Sequence, residues 1–546
     1  MLTILFLFLI LPVGVIISKA FLGPEGFTLE YFSLLADSAI YRTAIINSLG
    51  LGVVVTLLST LMAAPLALLN ARFQFPGKSL LAAMLLLPLV MPPFVGAIGV
   101  QRFFARYGSV NLLLMDAGWI DTPIDWLGPD HAFVAVAVLE ALHLFPIIFL
   151  NLTAAMANID PSMEEMADTL GVSRWRRYVD IIWPLARPGY FAGAIIVFIW
   201  AVTDLGTPLL VGYHDTLPVR IFNMVSDVNE NPVGYALVFC VILMTVGMFL
   251  VSRLTTRGNR FAMLARGHVS PAMAPLPRAA MLPVYAGFLL VIFLAVLPHL
   301  SVVITSISHQ WFMTPLPRAL TAEHFGAALG QTLSATGIRN SLMLAAAATL
   351  FDVVLGLLVA FIVVRRLIPF AGLLDAICMI PLALPGIVLA FGYVVTWTGT
   401  ALDPMVNPTI LLIAAYGIRR LPFMIRSASA GLQQTSVALE EASHTFGAGR
   451  LHTLLRISLP LLTANLIAGG LMCFSWAMLD VSDSLILAMK ERFYPMTKAI
   501  YALFLEQGSG GLVACALGVI GMIILGSCML GASLLLGKKA GELFRA

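Results

Sequence analysis

Residues 164–189 read EEMADTLGVSRWRRYVDIIWPLARPG, and residues 440–465 read EEASHTFGAGRLHTLLRISLPLLTAN. Each segment contains Glu-x-Ala/Ser-x-x-Leu/Phe-Gly, and a Pro follows thirteen residues after the Gly. The same offset of 276 relates Gly171 to Gly447 (447 − 171) and Pro184 to Pro460 (460 − 184). The pattern predicts an amphipathic helix interrupted at the Gly, a resumed helix, and a Pro that opens the next apolar run.

The chain around these segments is very apolar. Of its 546 residues, 60% are hydrophobic and 11% charged, with a mean hydropathy of +0.97. Soluble proteins carry about 25% charged residues, so we expect a polytopic membrane protein. Thirty-one Lys and Arg against 28 Asp and Glu give a charge of +3, which does not indicate a nucleic-acid partner. The five cysteines lie in or beside apolar runs without metal-ligand spacing, which predicts buried thiols and no metal site.

Apolar stretches near the ~20-residue spanning length occur twelve times, six in each half of the chain. The first lacks the basic start of a signal peptide, so we interpret it as a membrane helix. The predicted spans are 2–20, 45–70, 80–101, 131–155, 190–212, 233–255, 282–306, 340–364, 372–398, 408–430, 465–487 and 511–537.

The stretch from Arg257 to Arg278 is basic and contains no acid. Because basic loops mark the cytoplasmic side, we expect this linker, both repeated segments and both chain ends to lie inside the cell. The predicted organisation is a first transmembrane domain over 1–256, a cytoplasmic linker over 257–279 and a second transmembrane domain over 280–546.

The internal repeat extends beyond the two segments. Further pairs share the offset of 276, and one earlier pair has an offset of 293, so one intervening loop differs in length. Equivalent segments therefore lie on the same side of the membrane, as direct repeats. The pairs are Phe145-Pro146 with Leu421-Pro422, Trp200 with Trp476, Asp204 with Asp480, and, at 293, Asn47-Ser48-Leu49 with Asn340-Ser341-Leu342.

The paired segments resemble the EAA signature of ABC importer permeases, here as a fused two-copy permease. The resemblance implies an all-α, type I ABC importer permease fold in the bacterial inner membrane. It also implies two copies of a cytoplasmic ATPase subunit and a periplasmic or extracellular solute-binding protein as partners. The positions that match the ATPase-coupling motif are Glu165, Ala167, Gly171, Pro184, Glu441, Ser443, Gly447 and Pro460.

An importer must transmit force from a soluble ATPase to helices in lipid, and a short surface helix fitting a groove of the ATPase can do this. We expect the apolar face to fill that groove, with Met166, Leu170 and Trp175 in the first copy. The second copy offers Ala442, Phe446 and Leu451. Because Pro188 of the first copy is replaced by Ala464 in the second, we expect unequal docking surfaces.

Ionisable residues inside spans are candidates for function. We interpret Asp204, Asp480, Asp483 and Arg420 as candidates for the translocation path. The alternative is that such groups pair with each other and brace the bundle. The same alternative applies to four other charged or titratable residues in predicted spans, namely Glu140, His143, Asp352 and Arg419.

The sequence contains no catalytic arrangement. Gly77-Lys78-Ser79 ends like a nucleotide-binding loop, but Arg72 occupies the position of the required earlier Gly. We therefore expect a transport subunit without enzymatic activity or cofactor, with ATP hydrolysed by a separate polypeptide. A twelve-helix secondary transporter is the alternative, but the loop ARFQFPGKS lacks the Gly- and Arg-rich signature common in that class.

The substrate is the least constrained property. The fused permease resembles a group that handles iron(III), polyamines and 2-aminoethylphosphonate, and residues 204–209, DLGTPL, resemble its fifth helix. We predict 2-aminoethylphosphonate or a related phosphonate, with iron(III) or a polyamine as the alternative.

Overall fold

The computed structural model describes residues 1–23, 25–225, 232–256, 273–506 and 508–536. Residues 257–272, the larger part of the predicted linker, and the basic C-terminal residues lie outside this range. The domain boundaries at 256 and 280 therefore stay a prediction. Below, the first half is 1–256 and the second half is 273–536.

The first half consists of helices with two minimal strand pairs. Two π-helical turns, Phe6–Ile10 and Tyr178–Ile182, lie within continuous helical runs. The elements are α1 (Leu2–Leu5), α2 (Leu11–Phe21), β1 (Leu22–Gly23), β2 (Gly26–Phe27), α3 (Glu30–Asp37), α4 (Ala39–Arg72), β3 (Phe73–Gln74), α5 (Lys78–Met84), α6 (Leu87–Val90), α7 (Pro93–Phe104), α8 (Ser109–Asp116), α9 (Ala132–Ala157), α10 (Pro161–Thr169), α11 (Arg174–Arg177), α12 (Trp183–Thr203), α13 (Gly206–Val211), α14 (Leu217–Asn223) and α15 (Val233–Thr256).

The second half repeats the order of the long helices, and its described residues include no counterpart of α8 or of the β1–β2 pair. Strand β4 pairs in parallel with β3 of the first half, and β1 pairs antiparallel with β2. A π-helical turn covers Leu454–Ser458, and 3₁₀ turns cover Ile380–Leu382 and Glu491–Phe493. The elements are β4 (Ala274–Pro275), α16 (Arg278–Ser306), α17 (Glu323–Gly330), α18 (Thr332–Val364), α19 (Ala371–Met379), α20 (Gly386–Trp397), α21 (Thr409–Gln434), α22 (Val437–Thr445), α23 (Arg450–Thr453), α24 (Leu459–Met478), α25 (Ser482–Leu487), α26 (Met496–Leu505) and α27 (Gly510–Leu536).

Each of the twelve predicted spans has a structural counterpart. Among the described residues, nine helices are long and apolar enough to cross a membrane, and two further helix pairs qualify if each is counted as one bent span. The remaining predicted span, 408–430, corresponds to α21. This helix has 26 residues and is less apolar than the others because it carries Arg419, Arg420 and Arg426. It packs against α18 as α9 packs against α4.

The third predicted span of each half is not a continuous helix. The axis bends by 89° between Leu89 and Pro93, and by 99° between Leu382 and Gly386. Proline explains both breaks, because Pro lacks the backbone N–H and disfavours helical geometry in the residue before it. Pro92 and Pro93 occupy the first break, and Pro385 occupies the second.

The predicted fifth spans, 190–212 and 465–487, are also interrupted. Helix α12 ends at Thr203 and α24 ends at Met478, so Asp204 and Asp480 stand in breaks before α13 and α25. The expectation that both carboxylates lie within a membrane helix is wrong. Their oxygens accept backbone N–H groups that the helix break leaves free.

The first helix of each half packs against the other half. Helix α2 contacts α20, and α16 contacts α7. The Tyr393 hydroxyl donates to the Phe8 carbonyl at 2.7 Å, and Nε2 of His299 lies 3.1 Å from the Pro92 carbonyl oxygen. Each of these helices also contacts the last helix of its own half, α15 or α27, so it bridges the two halves.

Equivalent residues hold equivalent elements in the two halves. The Ser48 hydroxyl accepts the N–H of Leu217 at 2.8 Å, and the Ser341 hydroxyl accepts the N–H of Met496 at 2.8 Å. Each bond fixes the start of the short helix, α14 or α26, against the second long helix of its half. The sequence match at offset 293 therefore marks a shared structural contact.

Candidate functional site

Both repeated segments begin with a capped helix. The Asp160 carboxylate accepts the N–H of Ser162 at 2.9 Å at the start of α10, and the Ser436 hydroxyl accepts the N–H of Ala438 at 3.3 Å at the start of α22. These are preferred N-cap residues. The hydrogen bond from Ser162 lowers the pKa of Asp160 below its usual value.

The two glycines end these helices in the same way. Gly171 has φ of 71° and Gly447 has φ of 84°, in the left-handed region. The residues after them, Val172 and Ala448, donate N–H groups to the carbonyls of Ala167 and Ser443 at 2.9 and 3.1 Å. With the bonds from the Gly N–H groups to Asp168 and His444, this is the Schellman arrangement.

The short side chains at the Ala/Ser position face inward, and a set of large apolar side chains faces out. Ala167 and Ser443 are buried, whereas Phe446 is 92% and Leu170 81% exposed. Trp175, Met166 and Leu451 are exposed too, as are Glu165 and Glu441. In the described part of the chain this surface is uncovered. Its role in ATPase coupling stays a prediction.

The two prolines lie inside continuous helical runs rather than at their start. Pro184 follows a π turn in which the Trp183 N–H reaches the Tyr178 carbonyl, and Pro460 follows the corresponding turn at Leu454–Ser458. Pro cannot donate the backbone hydrogen bond of a regular helix. The wider π turn before it lets the helix continue without that bond. The helix that resumes after each Gly therefore runs directly into the membrane.

Sequence reasoning missed the acid that precedes each signature Glu. Glu164 lies 2.7 Å from a guanidinium nitrogen of Arg72, at the end of α4, and Glu440 lies 2.9 Å from that of Arg365, at the end of α18. The offsets are 276 for the acids (440 − 164) and 293 for the arginines (365 − 72). Both offsets were already present in the repeat and could have identified these pairs.

A cavity of about 260 Å³ lies between the two halves. Trp200 and Trp476, at equivalent positions, meet beside it with ring centroids 5.3 Å apart. Its charged and titratable lining comes from both halves and consists of Glu140, His143, Asp204, Arg419, Arg420 and Asp480.

The second-half wall is a buried ion network. One oxygen of Asp480 lies 2.6 Å from guanidinium nitrogens of both Arg419 and Arg420, and Asp483 lies 2.7 Å from Arg419. Arg420 also donates to the Trp476 carbonyl at 2.9 Å, and the Asp483 N–H donates to Asp480 at 2.9 Å. Asp483 is fully buried and does not line the cavity.

The first-half wall carries different chemistry at the same positions. His143 and Leu144 stand where the second half has Arg419 and Arg420. Asp204 accepts the N–H groups of Gly206 and Thr207, each at 3.1 Å.

Glu140 belongs to the same wall. It is 2% exposed, and both of its carboxylate oxygens lack a hydrogen-bond partner among the described residues. The cavity therefore has an acidic wall on one side and a neutralised ion network on the other.

Two glycines allow the helices of the repeat to approach closely. A side chain at Gly193 would lie 3.0 Å from the Ile148 backbone, and one at Gly469 would lie 2.8 Å from Ser427. Small residues permit this close approach of membrane helices. These contacts hold α12 against α9 and α24 against α21, the helices that carry cavity-lining residues.

Other titratable residues singled out from the sequence are placed outside the cavity. Asp352 is buried in α18, with one oxygen lacking a partner among the described residues. Within the same part of the chain, no three His, Cys, Asp or Glu side chains are grouped so as to hold a metal ion.

The family model described as the binding-protein-dependent transport system inner membrane component matches residues 56–260 and 352–533. The chain belongs to this family. One match falls in each half, which confirms the fused two-copy permease predicted from the repeat. The protein is a multi-pass inner-membrane permease of an ABC importer.

Two relatives align with most of the chain. The ferric transport system permease protein FbpB of Actinobacillus pleuropneumoniae is 28% identical over 96% of this chain and 75% of its own length. A putative ferric transport system permease protein of Haemophilus influenzae is 27% identical over 89% of this chain and 76% of its own length.

Other similarities cover one half of the chain. A putative 2-aminoethylphosphonate transport system permease protein of Salmonella typhimurium is 25% identical over 44% of this chain and 85% of its own length. A bacterial ABC transporter involved in alginate import matches with a TM-score of 0.40 and 20% identity, over 47% of this chain and 91% of the matched chain.

Proposed function

We propose that this permease imports iron(III), delivered by a solute-binding protein and driven by two ATPase subunits, one on each repeated segment. The observation that carries the proposal is the similarity to two ferric transport permeases along nearly the whole chain. The phosphonate predicted from the sequence has weaker support, since its relative aligns with less than half of the chain.

The chemistry of the cavity supports a cationic solute. Hard cations bind oxygen ligands, carboxylates above all. Glu140 and Asp204 face the cavity from the half that lacks arginines there, and neither carboxylate has a salt-bridge partner among the described residues. These two acids would offer a passing cation successive oxygen ligands without enclosing it.

A phosphonate is the second candidate, because Arg419 and Arg420 line the same cavity. Guanidinium groups suit phosphonate oxygens. In this structure, however, both arginines are bound to Asp480, and Arg419 also to Asp483. An anion would have to compete with these carboxylates, so the network favours iron.

The test is uptake by cells that lack other iron and phosphonate importers and express the permease with its cognate ATPase and binding protein. We expect accumulation of radiolabelled iron(III), abolished when ATP is depleted. Glu140→Gln should reduce the iron uptake rate by about tenfold, the scale of one lost charged contact. Asp121→Asn, which removes an acid from an exposed loop, is the matched control. Accumulation of radiolabelled 2-aminoethylphosphonate without iron would overturn the proposal.

A further inference from the structure

We propose that two partly buried ion pairs, Arg72 with Glu164 and Arg365 with Glu440, transmit movement between each ATPase-docking segment and the second long helix of its half. These four are positioning residues, called the anchor pairs below. The inference rests on the proposed docking of an ATPase to the repeated segments. It assigns a distinct role to the acid beside each signature Glu.

The first anchor pair joins α4 to α10. Arg72 is the last residue of α4, and Glu164 lies in the first turn of α10. Their charged atoms are 2.7 Å apart, and the side chains are only 13% and 18% exposed. Two charges this shielded from water attract each other more strongly than those of an ordinary surface salt bridge, although this contact does not have hydrogen-bond geometry.

The second anchor pair makes more hydrogen bonds than the first. Nη2 and Nε of Arg365 donate to the two oxygens of Glu440 at 2.9 and 3.1 Å, a bidentate contact. Arg365 also donates to the Leu432 carbonyl at 3.4 Å, and the Ser458 hydroxyl donates to Glu440 at 3.2 Å. This pair therefore ties the end of α18 to the end of α21, to α22 and to the π turn that leads into α24.

Helix electrostatics reinforce both pairs. An acid is favoured in the first turn of a helix and a cation at the end of one, because the helix dipole is positive at its N-terminus and negative at its C-terminus. Each pair joins the start of a docking helix to the end of a membrane helix. The two ends attract each other through dipoles as well as charges.

The anchored helices contact the cavity walls. Helix α4 packs against α9 and α12, which carry Glu140 and Trp200, and α18 packs against α21 and α24, which carry Arg420 and Trp476. Displacement of a docking helix would thus pull directly on the helix that supports one wall. Glu165 and Glu441 are exposed instead, on the surface offered to the partner.

The experiment measures iron(III) uptake per ATP hydrolysed, and the permease–ATPase Kd, with the complete transporter in proteoliposomes. Glu440→Gln, which keeps shape and removes charge, should lower uptake per ATP by about tenfold, the scale of one lost charged contact. The Kd should stay within about threefold, because the exposed face is intact. We expect a smaller loss for Glu164→Gln, since its pair has fewer contacts.

Charge exchange separates transmission from simple stability. Glu440→Arg and Arg365→Glu alone should uncouple transport, and the double variant should recover only part of the uptake per ATP, because the exchanged charges oppose both helix dipoles. Glu441→Gln is the control, because it should raise the Kd and lower ATPase stimulation and uptake together, leaving uptake per ATP unchanged. If a charge-reversal variant cannot be purified, Glu440→Gln and Arg365→Gln decide the question.

Unchanged uptake per ATP in those Gln variants, or a double variant no better than the purified single ones, overturns the inference. Failure of the unaltered permease to bind the ATPase or to transport iron would instead overturn the proposed function. The two failures are therefore distinguishable.

Discussion

Asp204 and Asp480 occupy equivalent positions but have unlike partners. Asp480 contacts Arg419 and Arg420, whereas Asp204 is held by backbone N–H groups of the next helix. Removing one partner of a buried ion pair leaves an uncompensated charge and costs about 3–5 kcal/mol. The N–H groups of Gly206 and Thr207 bind different oxygens of Asp204, so an Asn at position 204 can still accept one of them through its single amide oxygen.

We therefore expect Asp480→Asn to lower the free energy of unfolding by about 3 kcal/mol. This loss should appear as a markedly lower thermal unfolding temperature in detergent. Asp204→Asn should lower the free energy of unfolding by only about 1 kcal/mol, because one backbone N–H group loses its acceptor, while reducing uptake of iron(III). Thermal unfolding and uptake are measured on the same preparations. Equal destabilisation by the two variants would contradict this assignment.

The sequence identified these residues but could not assign their contacts. The offset of 276 paired the two carboxylates, and Asp483 was named as a candidate beside Asp480. Which acid binds which arginine depends on how α21 packs beside α25, a tertiary contact with no local signal. Glu140 was visible as a charged residue in a span, but its lack of a partner appears only in three dimensions.

At the scale of elements, the Gly turn fixes the direction of α10 and α22, the helices proposed to dock on the ATPase. A side chain added at Gly171 or Gly447 would meet no atom within 4 Å, so the cost of Ala there is one of backbone conformation alone. A left-handed conformation costs a non-Gly residue about 1–2 kcal/mol. The helix can avoid this cost only by changing the angle at which it presents its apolar face.

We expect Gly447→Ala to weaken binding of the ATPase by about tenfold, the equivalent of that strain, as measured by titration of the detergent-solubilised permease. Gly449→Ala is the matched control, since Gly449 also has open space around it but no positive φ. An equal loss of affinity in both variants would show that the turn is not responsible.

Element boundaries were predictable where the local chemistry is strong and not elsewhere. The Gly in each repeated segment predicted the turn, and apolar length predicted the long spans. The bends at Pro93 and Gly386 were not predicted, because a composition window averages over the prolines inside an apolar run. The π turns before Pro184 and Pro460 also leave no distinct sequence pattern.

At the scale of the whole molecule, the first helix of each half bridges to the other half. Helix α2 lies on α20 and α16 lies on α7, and hydrogen bonds from Tyr393 to Phe8 and between His299 and Pro92 secure these contacts. The linker is then not needed to hold the halves together once they have folded.

We expect a protease site inserted within residues 257–272 to be cleaved from the cytoplasmic side only, in inside-out vesicles. After cleavage, the two fragments should co-purify in mild detergent, because the bridging helices bury apolar surface against both halves. The uncut protein with the same insertion is the control. Separation of the fragments, or cleavage in intact spheroplasts, would contradict the bridging or the topology respectively.

The arginines at positions 419 and 420 have no counterpart across the cavity, where the first half has His143 and Leu144. In a permease assembled from two identical subunits, any mutation to Arg is copied onto both walls, and like charges then face each other across a narrow space. When both halves are parts of one chain, that constraint is removed, because each wall has its own codons and can mutate independently. Covalent joining thus allows one wall to acquire charge while the other stays acidic, and selection can adjust the two independently.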